Sequence, residues 1–298
     1  MKKFNLLLAF LLVACFATVG FAKEKGVKGV KHVVLIGLDG WGAYSVPKAD
    51  MPTVKSLMKD GSYTLESRSI LPSSSACNWA SMIMGAGPEL HGFTEWGSTK
   101  PDLPSRVLTH YGLFPSVIGL LRDQRPEAEI GYIYEWGGMA NLCEKKAINH
   151  FAQTKGAGTA KDAADYIKEK KPTFTMIAFD EPDGTGHGKG HNTDAYYEKL
   201  KELDGYIAQI VDAVKEAGIY DNTIIILTAD HGGINKGHGG KTMQEMQIPF
   251  IVCGKNVKVG HQITSSVMQY DTAATIAHIF GLERPQVWIA RPVTEIFK

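Results

Sequence analysis

Acidic residues and histidines follow three short apolar runs of the sequence, each at the point where the run ends. They are Asp39 after the first run, Asp183 and His187 after the second, and Asp230, His231 and His238 after the third. Taken singly, each group is typical of an ordinary turn. Because three separate segments end in the same way, we interpret the set as a metal centre, since carboxylate and imidazole are donors that zinc and related metals prefer.

The spacing divides these residues into two sets, which predicts two divalent cations. The first set is Asp183 with His187, and the second is Asp39 with Asp230 and His231. The first ion still lacks a ligand, and His238 is the leading candidate because flanking glycines allow a close approach. The alternatives are His191, His261 and His278. Paired ions of this kind clamp the attacking and leaving oxygens of a displacement.

Three consecutive serines precede a predicted helix and supply candidate nucleophiles. The segment 70–85 is typical of a strand end, a loop that contains Ser73, Ser74 and Ser75, and then a helix. A hydroxyl at a helix N-terminus lies beside free N–H groups and the positive end of the dipole, which favours an anion. A metal ion nearby would lower the hydroxyl pKa and activate it. Without such a metal, the same serines would simply be helix caps.

Apolar runs and helical patterns alternate along the chain. The runs that predict strands are His32–Leu38, Glu129–Tyr134, Thr173–Phe179, Thr223–Thr228 and Pro249–Cys253. The predicted helices are Pro52–Asp60, Phe114–Asp123, Thr193–Ala217 and Asp271–Phe280. This alternation predicts an α/β fold with a doubly wound, mostly parallel sheet flanked by helices. Such sheets bind ligands beyond the carboxyl ends of their strands, which is where the acidic residues fall.

The composition excludes several classes of protein. The chain has 298 residues, of which 44% are hydrophobic and 21% charged, as in a folded protein and not a disordered one. A net charge of +1 gives no electrostatic basis for nucleic-acid binding. The four cysteines form no close pair, which argues against a thiolate metal site. We expect one catalytic domain over residues 23–298, with 93–113 as a cap or inserted loop.

The first 22 residues have the pattern of a secretory signal peptide. Lys2 and Lys3 precede an apolar stretch that is shorter than the roughly 20 residues of a membrane span. Cleavage after Ala22 would leave 30 basic and 31 acidic residues, a net charge of −1. We therefore expect export to the periplasm or the medium, with no transmembrane segment in the mature chain. The alternative is a lipoprotein anchored through Cys15, because 12–15 resembles a lipobox.

Four motifs occur in the order in which a known family has them. They are the segments 36–40 (IGLDG), 72–92 (PSSSACNWASMIMGAGPELHG), 181–187 (EPDGTGH) and 228–239 (TADHGGINKGHG). With this set, the chain resembles the alkaline phosphatase superfamily, and within it the type I phosphodiesterase/nucleotide pyrophosphatase family. The resemblance implies an alkaline-phosphatase-like fold. It also implies an exported hydrolase of small phosphate esters or nucleotides, most specifically of phosphodiester or nucleotide pyrophosphate bonds.

The resemblance implies a role for each candidate residue. Asp39, Ser75, Asp230 and His231 would hold one zinc ion, and Asp183, His187 and His238 would hold the other. Ser75 would attack phosphorus in line and form a phospho-serine intermediate. Asn78 would bind a phosphoryl oxygen beside the metals.

Other functions stay open at this point. A phosphomonoesterase or phosphonate hydrolase of the same superfamily is one alternative, although no Arg follows Ser75 in its helix to meet the second charge of a monoester. A non-catalytic metal-binding scaffold is another. A sulfatase is disfavoured, because neither Ser75 nor Cys77 is followed by the x-Pro-x-Arg sequence from which formylglycine is made.

Overall fold

The protein is described by a computed structural model that covers residues 25–298. The expected signal peptide, 1–22, and the alternative lipid attachment site, Cys15, lie outside the described residues. Over 25–298, none of the helices combines the length and apolarity that crossing a bilayer requires. The three cysteines of this part, Cys77, Cys143 and Cys253, are buried and free.

One sheet of eight strands organises the described part of the chain. The strands are β1 (His32–Asp39), β2 (Gly61–Arg68), β3 (Ile130–Tyr134), β4 (His150–Gln153), β5 (Phe174–Pro182), β6 (Thr223–Ala229), β7 (Gln247–Gly254) and β8 (His261–Gln262). Their order in the sheet is β4-β3-β5-β1-β6-β7-β2-β8. Only β7 runs antiparallel to its neighbours within this sheet. The predicted mostly parallel sheet is confirmed.

All five predicted strands are present, and three further strands belong to the sheet. Each of the three lacks the continuous apolar run that marks a strand buried on both faces. β2 carries several polar side chains and alternates in burial, β4 is only partly buried, and β8 has two residues. These strands lie toward the two edges of the sheet, where one side of the backbone faces less protein.

Helices cover both faces of the sheet. They are α1 (Pro52–Lys59), α2 (Ser75–Met84), α3 (Pro88–His91), α4 (Val117–Gln124), α5 (Ala157–Lys170), α6 (Asp183–Lys189), α7 (Asp194–Glu216), α8 (Met243–Met246) and α9 (Asp271–Phe280). Alternate residues of β1 point to opposite faces, so that Leu35 packs with α2, α4 and α9 while Ile36 packs with α1, α5 and α7. The result is a three-layer α/β/α arrangement. The four predicted helices are confirmed within a few residues at each end.

The register of the central strands brings the acidic residues to one edge. β1 lies between β5 and β6 and runs parallel to both. Asp39 pairs with Pro182, the residue before Asp183, and Leu38 pairs with Ala229, the residue before Asp230. The three carboxylates therefore emerge side by side at the carboxyl edge of the sheet, at the point where the chain order of neighbouring strands is interrupted. Residues 93–113, the predicted cap, contain no helix or strand.

Candidate metal centre and active site

Three carboxylates meet in the interior at the ends of the central strands. Asp39 ends β1, Asp183 begins α6 directly after β5, and Asp230 follows β6. Their exposed fractions are only 2%, 8% and 0%. In the described part of the chain, one oxygen of each carboxylate is buried with no hydrogen-bond partner: Asp39 Oδ1, Asp183 Oδ1 and Asp230 Oδ2. Buried carboxylate oxygens without partners are costly unless a cation neutralises them.

Three histidines are fixed with one ring nitrogen turned toward these carboxylates. The Nδ1 atom of each lies at a backbone carbonyl: His187 at Lys236 (2.9 Å), His231 at Gly232 (2.8 Å) and His238 at Ser73 (3.0 Å). In the neutral ring, Nδ1 then carries the proton and donates to the carbonyl, which leaves the Nε2 lone pair for another partner. This is the arrangement by which proteins orient histidine ligands of metals.

The distances group these side chains into two clusters that share His231. In one cluster, ligand atoms of Asp39, Asp230 and His231 lie within 4.8 Å of one another, and in the other those of Asp183, His231 and His238 do. His187 joins the second cluster through its Nε2 atom, 3.1 Å from Asp183 Oδ2. Six of the seven predicted ligands, all but Ser75, take part in these contacts. The sharing of His231 differs from the expected strict division into two sets.

The carboxylates raise one another's pKa where no cation compensates them. Burial is the main cause that raises the pKa of Asp39 well above its usual range, and the charges of Asp230 and Asp183 add to it. Burial likewise raises the pKa of Asp230, against hydrogen bonds from the backbone N–H groups of Gly40 and His231. Two carboxylates held in this way favour a proton or a metal ion as partner.

Asp183 differs from the other two carboxylates because histidines surround it. Burial acts to raise its pKa, but the hydrogen bond from His187 and the charges of His231 and His238 lower the pKa to about 2. The same hydrogen bond raises the pKa of His187 to about 9. His231 is fully buried, and burial with the nearby His238 lowers its pKa to about 3. The centre therefore holds an ionised Asp183 hydrogen-bonded to His187, beside His231 with a neutral ring.

Ser75 lies at the first position of α2 and faces the centre. Its Oγ atom is 3.2 Å from His231 Nε2. Ser73, by contrast, is engaged in the loop that carries His238, because its hydroxyl donates to the Gly240 carbonyl and accepts from the Gly239 N–H. Ser74 is the N-cap of α2, and its side chain makes no capping hydrogen bond. Of the three serines, the geometry favours Ser75 as the group that meets a ligand at the centre.

The Asn78 side chain makes hydrogen bonds to the loop before α2. Its side chain is fully buried. Its oxygen accepts from the Ile70 N–H at 2.8 Å, and its amide nitrogen lies 3.0 Å from the carbonyl oxygens of both Pro72 and Ser74. The amide therefore holds the loop before α2, and with it the start of the helix at Ser75. The implied contact of Asn78 with a phosphoryl oxygen stays a prediction.

Trp79 and two glycines fix Asp39 in place, a feature that the sequence motifs did not reveal. The indole nitrogen of Trp79 donates to Asp39 Oδ2 at 3.1 Å. A Cβ atom at Gly37 would lie 2.5 Å from the Trp79 ring, so only glycine lets α2 approach β1 this closely. Gly40 has a φ of +70°, and a Cβ there would lie 2.7 Å from Asp183 Cβ. A signal for Trp79 was its position one helical turn after Ser75.

The three alternative histidines fall in different places. His191 is buried at the centre, with Nε2 3.5 Å from Asp183 Oδ1. His261 is in β8, at the sheet edge, and pairs with Glu295. His278 lies in α9 with its ring near Phe297. Of the three, only His191 belongs to the site.

The residues fit the binding of divalent metal ions. The unpartnered oxygens and the Nε2 atoms supply hard and borderline donors in the mixture that zinc accepts. Ser75 stands beside them at a helix N-terminus. The arrangement can bind an oxyanion, orient a hydroxyl nucleophile and hold it away from bulk water.

Comparison with known proteins agrees with this geometry. A model of the family described as type I phosphodiesterase / nucleotide pyrophosphatase matches residues 33–111 and 133–237. The matched segments contain all seven predicted metal-centre residues apart from His238.

Individual relatives are distant. Bis(5′-adenosyl)-triphosphatase ENPP4 of Pongo abelii is 21% identical over 238 residues, which cover 76% of this chain and 52% of that protein. In three further curated relatives, the matched segment covers 18–24% of the length of the relative. The chain thus spans about half or less of the length of these relatives.

Solved structures share the fold. A 2-O GAG sulfatase superposes with a TM-score of 0.74 at 14% identity, over 90% of this chain and 74% of that one. Murine ectonucleotide pyrophosphatase/phosphodiesterase 5, an inactive variant in complex with AMP, gives a TM-score of 0.72 at 13% identity, over 90% of this chain and 100% of that one. Together with the sheet order, these likenesses confirm the alkaline-phosphatase-like fold.

Metal removal tests the centre through stability. Zinc at about 100 times its dissociation constant should stabilise the fold by about 2.7 kcal/mol, because only the folded state presents the site, and this corresponds to about 5–10 °C in melting temperature. Asp39→Asn should clearly reduce that shift in a scan with and without EDTA, because Asp39 belongs to one of the two ligand clusters. Asp204→Asn is the matched control, since Asp204 is also buried but caps α1 through the Thr53 and Val54 N–H groups. It should lower the melting temperature yet keep the zinc shift. An Asp39→Asn protein with the full shift would contradict the site.

Proposed function

The chain belongs to the type I phosphodiesterase/nucleotide pyrophosphatase family, and on this basis we propose that it hydrolyses phosphate esters, with phosphodiester or nucleotide pyrophosphate bonds as its main substrates. One observation carries the proposal. The Ser75 hydroxyl stands at the start of α2, 3.2 Å from His231 Nε2, and His231 Nε2 in turn lies 3.5 Å from the unpartnered Asp39 Oδ1. A hydroxyl is thereby placed beside donors that fit a metal ion.

Two divalent cations, with Zn²⁺ as the proposed metal, belong to this function. Asp39, Ser75, Asp230 and His231 would hold one ion, and Asp183, His187 and His238 would hold the other. When bound, the ions would lower the pKa of the serine hydroxyl and stabilise negative charge on the phosphoryl group. The ions would also offset burial, the main cause of the raised pKa of Asp39 and Asp230, and the repulsion that adds to it.

The chain's own residues determine the direction of attack. Ser75 Oγ would form a bond to phosphorus while the bond from phosphorus to the leaving oxygen breaks on the opposite side, and water would then hydrolyse the phospho-serine. Asn78 holds the loop before Ser75, and Trp79 holds the Asp39 carboxylate. Burial of the centre keeps bulk water from the nucleophile and strengthens the electrostatic contacts.

Two similar proteins and one residue of this chain favour a nucleotide as part of the substrate. One relative is named as a bis(5′-adenosyl)-triphosphatase, and a structural neighbour was solved with AMP. In this chain, Trp96 is 64% exposed, and its carbonyl oxygen accepts a hydrogen bond from the Ala76 N–H, next to Ser75. An exposed indole whose backbone is tied to the residue after Ser75 would offer a stacking surface for a base.

We propose export as well, from the pattern of residues 1–22. The test is the mass of the N-terminal peptide of the protein purified from its native host after fractionation. Cleavage after Ala22 predicts a chain that begins at Lys23. A diacylated Cys15 in the membrane fraction would support the lipoprotein alternative, and an intact Met1 in the cytoplasm would contradict export altogether.

Ser75→Ala tests the nucleophile. Loss of the hydroxyl should lower the turnover of 4-nitrophenyl phosphodiesters by at least about 10³-fold, because no bond to phosphorus can form from the protein. Zinc content should stay near that of the wild type, since the remaining ligands are intact. The matched control is Ser74→Ala, the neighbouring serine whose side chain makes no capping bond, and it should keep most of the activity.

Wild-type behaviour on a panel of esters decides between the functions. The panel contains a phosphodiester, a nucleotide ester, a phosphomonoester, a phosphonate and a sulfate ester. We expect the phosphodiester and the nucleotide ester to be turned over fastest. Full activity in Ser75→Ala would refute the nucleophile assignment. A zinc-loaded wild type that turns over none of these esters would establish the non-catalytic scaffold instead.

Trp96→Ala tests the nucleotide part of the proposal. Loss of stacking should raise KM for the 4-nitrophenyl ester of a nucleoside 5′-monophosphate by about 5-fold or more, since stacking on one base is worth about 1–3 kcal/mol. KM for methyl 4-nitrophenyl phosphate should change little. Trp96→Phe should retain part of the effect, and Leu108→Ala, at another exposed apolar residue, should have none. An equal rise in KM for both esters would contradict base stacking.

A further inference from the structure

His191 is a buried histidine whose ring nitrogens have no hydrogen-bond partner in the described part of the chain. It lies between α6 and α7, and its side chain has no exposed surface. The other three histidines of the centre each have Nδ1 at a backbone carbonyl, and His191 does not. A polar ring buried without partners destabilises a protein unless a partner appears in the functional state.

Two glycines hold the ring in one place. A Cβ atom at Gly186 or at Gly233 would lie 2.3 Å from a ring atom of His191, so the imidazole fills the space between the two backbones. The backbone N–H of His191 donates to the Asn235 carbonyl at 2.6 Å. The ring is therefore positioned by packing alone, with its edge toward the carboxylates.

The nearest acceptor is the free oxygen of Asp183. His191 Nε2 is 3.5 Å from Asp183 Oδ1, which itself has no hydrogen-bond partner among the described residues. The other oxygen, Oδ2, faces His187 at 3.1 Å and His238 at 3.8 Å. One side of the Asp183 carboxylate is thus turned toward the predicted ligands, and the other side toward His191.

We propose that His191 is a positioning residue of the metal centre, whose Nε2–H donates to Asp183 Oδ1 and so fixes Oδ2 toward the cation held with His187 and His238. The contact tightens from its present 3.5 Å when the centre is loaded. Ligating carboxylates are commonly held by such hydrogen bonds. A role as a fourth protein ligand fits less well, because it would close the position that a substrate oxygen needs.

This inference rests on the metal centre of the proposed function, and zinc affinity tests it independently of turnover. The variants are His191→Leu, which removes the donor, and His191→Gln, whose amide N–H can replace Nε2–H. The control is His261→Leu, at a histidine outside the centre. Zinc affinity is measured by competition with a chelating dye, and melting in EDTA reports whether each variant folds.

We expect His191→Leu to weaken one of the two zinc sites by about 10–100-fold, while His191→Gln and His261→Leu stay close to the wild type. Unchanged affinity in His191→Leu would overturn the inference and leave His191 as packing. Loss of one zinc equivalent in both His191 variants would also overturn it and make His191 a ligand. If His191→Leu does not melt cooperatively, His191→Asn, whose amide is too short to reach Asp183, takes its place with the same expectation.

The proposed function can fail separately. A wild type that binds two zinc ions and turns over no ester refutes the function, while the affinities of the variants still decide the role of His191. A wild type that binds no zinc overturns both.

Discussion

The structure depends on the repulsion between three carboxylates that the sheet forces together. Asp39, Asp183 and Asp230 leave three adjacent parallel strands at the same edge, and all three are buried. Like charges at such distances interact strongly in a medium of low polarity. Burying three carboxylates next to one another lowers the stability of the fold, so we explain the arrangement by a bound cation. The histidines around them turn Nε2 atoms toward the same point. These nitrogens can bind a cation when their rings are neutral.

Much of the surrounding structure serves to hold these groups still. Tyr196 of α7 donates from its hydroxyl to the Gly40 carbonyl at 2.7 Å and accepts from the Gly42 N–H, which fixes the turn after Asp39. Glu245 accepts from the Gly240 N–H and from Thr242, which fixes the loop after His238. On the opposite side, α2 is held by Asn78 and Trp79. Elements from both faces of the sheet therefore converge on one edge, and each fixes one ligand or the nucleophile.

The sequence was sufficient for the parts of the fold that have a local signal. Continuous apolar runs identify the buried strands, and the acids at the ends of three of these runs identify the site, because parallel strands end at the same edge of the sheet. Strands β2, β4 and β8 lack such runs and were not predicted. The antiparallel direction of β7 has no signature in its residues, since the direction of a strand is decided by the connection before it.

Roles that depend on packing could not be predicted from spacing. The family resemblance implies that Asn78 binds substrate, and only the fold shows that its amide also holds the loop before the helix. His191 was one of three alternative histidines, and only the fold separates it from His261 and His278. A regular pattern was present, with Asp183, His187 and His191 each four residues apart. That pattern places residues on one helical face, but α6 ends at Lys189, so the third member owes its position to tertiary structure.

The proposed function requires cations at the carboxyl edge of the sheet, and crystallography at the zinc absorption edge tests for them most directly. An anomalous difference map of zinc-soaked crystals should show two peaks. One should lie among Asp39, Asp230 and His231, and the other among Asp183, His187 and His238. A map without peaks at this edge, with the three carboxylates still buried and in contact with one another, would contradict the account.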